Sequence, residues 1–317
     1  MGTPFISLLE PTRLDGYDSS LPHDQQRDTL PPVFIDAMAA REAVFVQEQG
    51  IPLSHEYDED DARSCHWVAY ASVNIRRPPG SPGGGGTQEP GPEPEPEPGE
   101  EGQETTPAAR SPETRSVPIG TLRIVPFPHP PHPPPGARYA NNVLLPSSPP
   151  STSTSTSTST SSSSPLPSSS PPQTAQTPLE RERQQSALPF GPDRRTTYHD
   201  GREPYVKLSR LAVVPDFRGL NIATQLWVAA RRWLEEHPDY FNPSVAELGM
   251  DQLRVGAVGD IPRWNGLVLC HAQESAIGVY ERWGFRVDQA MGKWYEEGIP
   301  HFGMFARLDI KRSDPKV

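Results

Sequence analysis

The chain has 317 residues, a formal net charge of −11 and 41 prolines. No Lys/Arg-rich run is present to meet nucleic-acid phosphates, and no apolar run approaches the roughly 18–20 residues of a membrane span. Nucleic acid and membrane are therefore not expected as partners. With the low-complexity tracts set aside, roughly 190 residues remain, enough for one well-buried core.

The opening stretch Met1–Pro11 lacks both a basic start and a long apolar segment, so no signal peptide is expected. Pro4–Leu9 reads as a short strand. Over Leu30–Gln49, Val33, Phe34, Met38, Ala43, Phe45 and Val46 approximate one apolar helical face, which Gly50 and Pro52 end. An acidic loop, His55–Asp61, follows. Its Asp58–Asp61 run could draw a cation, but it lacks the glycine and late glutamate of an EF-hand, so no metal is expected. A solvated loop, or one capping the next strand, is the simpler reading. Cys65–Val73 is a strand by its aromatic and β-branched content. Cys65 and Cys270 both lie in apolar strand-like runs. They read as buried free thiols of a reducing compartment, the cytoplasm, with the nucleus also open.

At Arg76 the composition changes to Gly, Pro and Glu, with GGGG and EPEPEPEP tracts. Ile119–Phe127 is the next strand, and a second insertion, with STSTSTSTST, follows from Pro128. Such tracts cannot bury enough apolar surface to offset the entropy of ordering them. Residues 76–115 and 128–204 are therefore expected to be disordered spacers. They interrupt one domain made of residues 1–75, 116–127 and 205–312. From Tyr205 the pattern is dense. Strands are expected at Tyr205–Val214, Gly266–Cys270, Phe285–Val287 and Gly303–Ile310, with helices at Ile222–Glu236 and Ser275–Trp283. Trp67, Trp227, Trp233 and Trp283 read as core.

The most informative stretch is LSRLAVVPDFRGLNIATQLWVAARRWL. A strand runs into Pro215, and Arg218, Gly219 and the small Ala223 sit where the turn becomes a helix. Unpaired backbone N–H groups there, with the helix dipole, form a site for a phosphate or pyrophosphate. The Gly-Lys-Ser/Thr of a Walker loop and the three glycines of a Rossmann turn are absent.

These residues resemble the GNAT acetyltransferase superfamily, whose pyrophosphate loop has the form Arg/Gln-x-x-Gly-x-Gly/Ala. Here that maps to Arg218-Gly219-Leu220-Asn221-Ile222-Ala223, with Asn221 in place of a glycine. Asn is the non-glycine residue that best tolerates left-handed turn dihedrals. GLVLCHAQESAIGVYERWGF resembles the family's last strand–helix unit, with Tyr280, Gly284 and Phe285 as its Tyr-x-x-x-Gly-Phe ending. Three further segments resemble the ElaA-like branch: Arg41–Gln49, the acidic run Tyr57–Asp61, and Tyr295–Met304 (YEEGIPHFGM).

The resemblance implies an α/β (α+β) fold, a mixed and mostly antiparallel twisted sheet flanked by helices. It also implies transfer of an acetyl group from acetyl-CoA, as co-substrate, to a primary amine of a small molecule. Leu211, Ala212 and Val213 would hold the carbonyl and pantetheine, Arg218–Ala223 and Thr224 the pyrophosphate. Tyr280 would be the general acid. Glu48, His301 and His271 are the candidate bases, imidazole being suited to proton transfer near neutrality. Protein lysine or N-terminal acetylation, and a catalytically quiet acyl-CoA-binding module, are the alternatives; homodimerisation is left open.

Overall fold

The computed structural model describes residues 5–75, 113–146, 193–242 and 263–310. The expectation of disorder for residues 76–112 and 147–192 lies outside these described residues.

Ten strands form one sheet: β1 Phe5–Leu9, β2 Cys65–Ile75, β3 Glu113–Val125, β4 Arg138–Ala140, β5 Val143–Leu144, β6 Val206–Val213, β7 Leu267–Gln273, β8 Arg286–Val287, β9 Lys293–Glu296 and β10 Ile299–Arg307. The order across the sheet is β1-β2-β3-β6-β7-β10-β9-β4-β5, with β8 on β10. Among the described residues, only β6–β7 and β4–β9 pair in parallel. β4–β5 and β9–β10 are hairpins, and β2 and β3 pair antiparallel to their ends, Ile75 opposite Glu113. Glu113–Arg115, expected within the first insertion, instead continue the ladder, so β3 begins three residues before the expected boundary.

Helix α1, Pro32–Arg41, begins with Pro32 in its first turn, where the missing N–H would be unpaired anyway. It continues as a π-helical segment, Glu42–Glu48, and ends at Gly50 with φ +73°. Two further helices, α2 Ile222–Glu236 and α3 Ile277–Arg282, cover the opposite face of the sheet. The main core lies between that face and α2. Leu226, Ala230 and Leu234 pack there with Leu122, Ile124, Val206, Leu208 and Val268. Cys65 and Cys270 are buried free thiols, as expected.

Residues 128–146 and 193–204, expected to be disordered, are folded. Arg138↔Tyr295 pairing adds β4 to the sheet beyond β9. The two arms of the insertion grip each other: Asp193 Oδ2 accepts from the His132 amide at 2.7 Å, and Arg194 Nη2 donates to the Pro133 carbonyl at 2.7 Å. His129 stacks on Tyr205 at 4.5 Å, and His132 meets His199 at 2.9 Å. Prolines fix φ in advance, so this segment loses little entropy on ordering, and flat imidazoles supply the packing surface that aliphatic residues usually provide.

The acidic loop is also not solvated. Glu56 and Asp61 are almost wholly buried and bind the fully buried Arg41, through Nε–Oε1 and Nη1–Oδ1 contacts of 2.7 Å each. Arg123 of β3 binds Asp58 and Asp61 at 2.6 and 2.7 Å, and Arg210 of β6 binds Asp58 at 2.9 Å. The network bolts α1 to the middle of the sheet. Burial alone would raise the Asp58 and Asp61 pKa values, but the facing guanidinium groups hold both below the usual carboxylate range.

Candidate active site

β6 carries the site. Its register with β3 shifts between Thr121 and Arg123, and Arg210 takes a left-handed φ of +48° at that bulge. In a regular strand, residues three apart face opposite sides. The bulge instead lets Leu208, Leu211 and Val213 all face the α2 side. Arg210 meanwhile reaches back to Glu56 and Asp58, which stabilises its strained dihedral.

On its other edge, β6 pairs with β7 through Val206, Lys207 and Leu208 alone. From Ser209 onward the two strands diverge, leaving the β7-facing backbone of the Leu211–Val213 stretch without a ladder partner. β6 runs on through a 3-10 turn, Pro215–Phe217, into Arg218. Gly219 has φ +77°, and Asn221 has φ +62° and ψ +19°, placing it in the left-handed region immediately before α2. The expectation that Asn can hold this turn is met. The first-turn amides of α2, Ile222 to Thr224, lack intrahelical acceptors and open toward the loop.

Tyr280 lies on the same side. α3 follows β7 directly and packs back on it, and Tyr280 is buried against Trp283 and Phe285. Trp283 stacks on Trp227 and donates from Nε1 to Thr224 Oγ1 at 3.2 Å, which ties α3 to the start of α2. Burial, with the Cys270 thiol nearby, pushes the Tyr280 phenol well above its ordinary pKa, so it is held protonated. A hollow of about 510 Å³ lined by Asn221, Thr224, Gln225 and Val228 lies beside this loop, toward Ile6 and Leu8 of β1.

Of the three candidate bases, Glu48 stands apart. Its carboxylate is bound bidentately by Arg218, at 2.8 and 2.5 Å, while Arg218 Nε donates to the Val213 carbonyl. That hydrogen bonding lowers the Glu48 pKa. The next residue, Gln49, exchanges amide hydrogen bonds with Gln273 at the end of β7. The end of the π segment thus straddles the mouth of the gap between β6 and β7.

His271 and His301 come together on the opposite face of the sheet, around a residue the sequence did not single out. Glu296 Oε1 accepts from His271 Nδ1 and from Trp294 Nε1, both at 2.8 Å. Its Oε2 lies 3.9 Å from His301 Nε2. Burial, assisted by the Lys207 charge, lowers the His271 pKa to about 4, so His271 is a neutral donor near pH 7. Burial works against the Glu296 anion, but its donors and neighbouring cations outweigh this and hold its pKa well below the ordinary value. His301 Nδ1 donates to the Ile299 carbonyl at 2.9 Å, so Nε2 carries the free lone pair of the neutral ring. Two acidic residues in YEEGIPHFGM were visible in the sequence, but only the β9–β10 pairing, His301↔Trp294, shows which one meets the histidines.

No protein-family model matches the chain, and no curated protein matches it. Among solved structures, it is similar to a putative N-acetyltransferase from Lactobacillus plantarum, at 16% identity and TM-score 0.38 over 97% of this chain and 100% of that one. Escherichia coli ElaA matches at 12% and 0.38, over 96% and 100%. A CoA-dependent acyl-homoserine lactone synthase, BjaI, matches at 11% and 0.40, over 97% and 84%. Similarity at this level carries no functional weight of its own. The sheet is mixed and mostly antiparallel, as expected from the sequence. Among the described residues, no helix is long and apolar enough to cross a membrane.

Proposed function

We propose that this chain is an N-acetyltransferase that moves an acetyl group from acetyl-CoA to the primary amine of a small molecule. The observation that supports this most is the parallel β6–β7 pairing that stops at Leu208–Cys270, directly before a left-handed turn into a helix N-terminus. A gap between strands, leading to converging backbone N–H groups, suits a long, thin ligand ending in a pyrophosphate. Acetyl-CoA supplies the activated acyl group. The chain's own residues bind and orient it: Leu211–Val213 by backbone, Arg218–Thr224 by first-turn amides and the Arg218 guanidinium.

At the gap, groups from the two faces of the sheet can approach one point. His301 Nε2, which carries the free lone pair of a ring whose tautomer is fixed by the Ile299 carbonyl, takes a proton from the incoming amine. Glu296 Oε2, beside it, stabilises the positive charge that forms. Tyr280 assists the leaving thiolate. With a pKa well above the ordinary phenol value, it acts first as a hydrogen-bond donor to sulfur and gives up its proton only as the amine's proton becomes available. Glu48, already bound to Arg218, is the least suited of the three candidate bases.

The test is thiol release from acetyl-CoA with a panel of amines, amino acids, amino sugars and peptides. We expect turnover with at least one small amine and a loss of roughly 10²-fold in kcat for Tyr280→Phe. Equal kcat in both proteins would remove Tyr280 from the chemistry. CoA binding without turnover on any acceptor would favour a quiet acyl-CoA-binding module.

A further inference from the structure

A third charged group lies on the same face of the sheet, in the last paired stretch of β6 before the gap. Lys207 sits on β6 in register with Leu269, two residues before His271 on β7, and so on the same face as His271 and Glu296. It is partly buried, and among the described residues no carboxylate pairs with it. Burial pushes its pKa down; the Glu296 and Asp60 charges oppose that, and the Arg123 and Arg210 charges add to it. An ammonium removed from water without a partner is destabilised, and an arriving anion offsets that penalty. The neighbouring socket has the opposite preference. Glu296 Oε1 is saturated by His271 and Trp294, while Oε2 faces His301 Nε2 across 3.9 Å, too far for a direct hydrogen bond.

From this pairing of an anionic socket with an unpaired cation we infer that the acceptor is a free amino acid, its ammonium between Glu296 and His301 and its carboxylate on Lys207. The inference rests on the transfer reading above and narrows its substrate. The step balances simply. The ammonium gives one proton to His301, and the amine nitrogen forms a bond to the acetyl carbon as the carbon–sulfur bond breaks. The departing sulfur takes a proton from Tyr280, which the second N–H proton of the amine restores. One proton is released overall.

Free amino acids should be compared with their carboxamides, which keep the amine and side chain but lose the anion. The carboxamide's amine has a pKa of about 8, so binding is compared below pH 7, where both ligands are ammonium ions and a preference for the acid does not reflect amine basicity. Binding to the CoA-loaded protein by calorimetry reads the site without turnover. The acid should bind roughly tenfold tighter than its carboxamide. Lys207→Met should bring the two within about twofold, and Lys207→Arg should restore most of the difference. Equal affinities of acid and carboxamide for the wild type would overturn the inference whatever the turnover. An unchanged preference in Lys207→Met would do the same. If the acid is preferred in binding but is not acetylated, the amino-acid site stands and the transfer reading fails.

Discussion

On the α2 side of β6, Val206, Leu208, Leu211 and Val213 pack into an apolar core, and the functional groups offered there are backbone amides, one arginine and one protonated phenol. On the α1 side, Lys207, Ser209 and Arg210 face three arginines' worth of ion pairs and the His271–Glu296–His301 cluster. The same strand thus carries a dry, neutral wall and a charged one. The difference matches what each side would handle. A polyanion held mainly by backbone N–H groups needs few side-chain charges, and a low-charge wall keeps those dipoles effective. A cationic nucleophile needs a fixed anion and a proton acceptor, each held in orientation by further hydrogen bonds.

Breaking the charged wall at its root should have the largest effect. Asp61→Asn leaves Arg41 and Arg123 buried without their shared carboxylate, and should cost about 3–5 kcal/mol in urea unfolding. A loss under 1 kcal/mol would mean that the network is not what bolts α1 to the sheet. Removing the proposed base tests the same side chemically. His301→Gln should lower kcat by roughly 10²-fold while leaving acetyl-CoA affinity unchanged, and a fall in both would point to a folding defect instead.

Acidification tests the two sides differently. His66, His132 and His271 each have a folded-state pKa lowered to about 4, chiefly by burial. Because these values lie below the unfolded one, the unfolded chain binds protons first as pH falls. Stability is therefore complete above about pH 6.5 and lost between there and about 4, by roughly 2 kcal/mol per histidine at pH 5. All three lie away from the cofactor loop, so unfolding followed by hydrogen exchange should show the acceptor side loosening before α2. Uniform loosening would erase that contrast.

The smallest effect separates two roles for Glu48. If its carboxylate merely occupies Arg218 until a pyrophosphate arrives, Glu48→Gln should tighten CoA binding a few-fold, as expected for removing one exposed ion pair, with kcat unchanged. A kcat loss of roughly 10²-fold would return Glu48 to the role of base.

How much of this was legible beforehand follows chain distance. Leu211 to Thr224 is one continuous strand–turn–helix, so Gly219, Asn221 and the helix start at Ile222 could be placed by local rules of dihedral preference and apolar spacing. Tyr280 was likewise marked by the helix ending at Gly284. The acidic loop was misjudged because its partners, Arg123 and Arg210, are remote in sequence, and spacing says nothing of such meetings. The folded arms at 128–146 and 193–204 were not legible because a proline-rich composition lowers both the ordering cost and the apolar signal. Glu296 was passed over beside Glu297, which instead accepts from His55 and the Asn141 amide.

The sequence by itself determined the order of β1, β2, β3, β6, β7, β8, β10 and the helices, the left-handed turn before α2 and the pair of buried thiols, because each depends on a few consecutive residues. Tertiary structure alone decided which carboxylate faces His301, which arginines neutralise the acidic loop, and that among the described residues no carboxylate forms a direct ion pair with Lys207. Those outcomes depend on strand register, and a strand presents alternate residues to opposite faces, so a one-residue difference in pairing would have exchanged them.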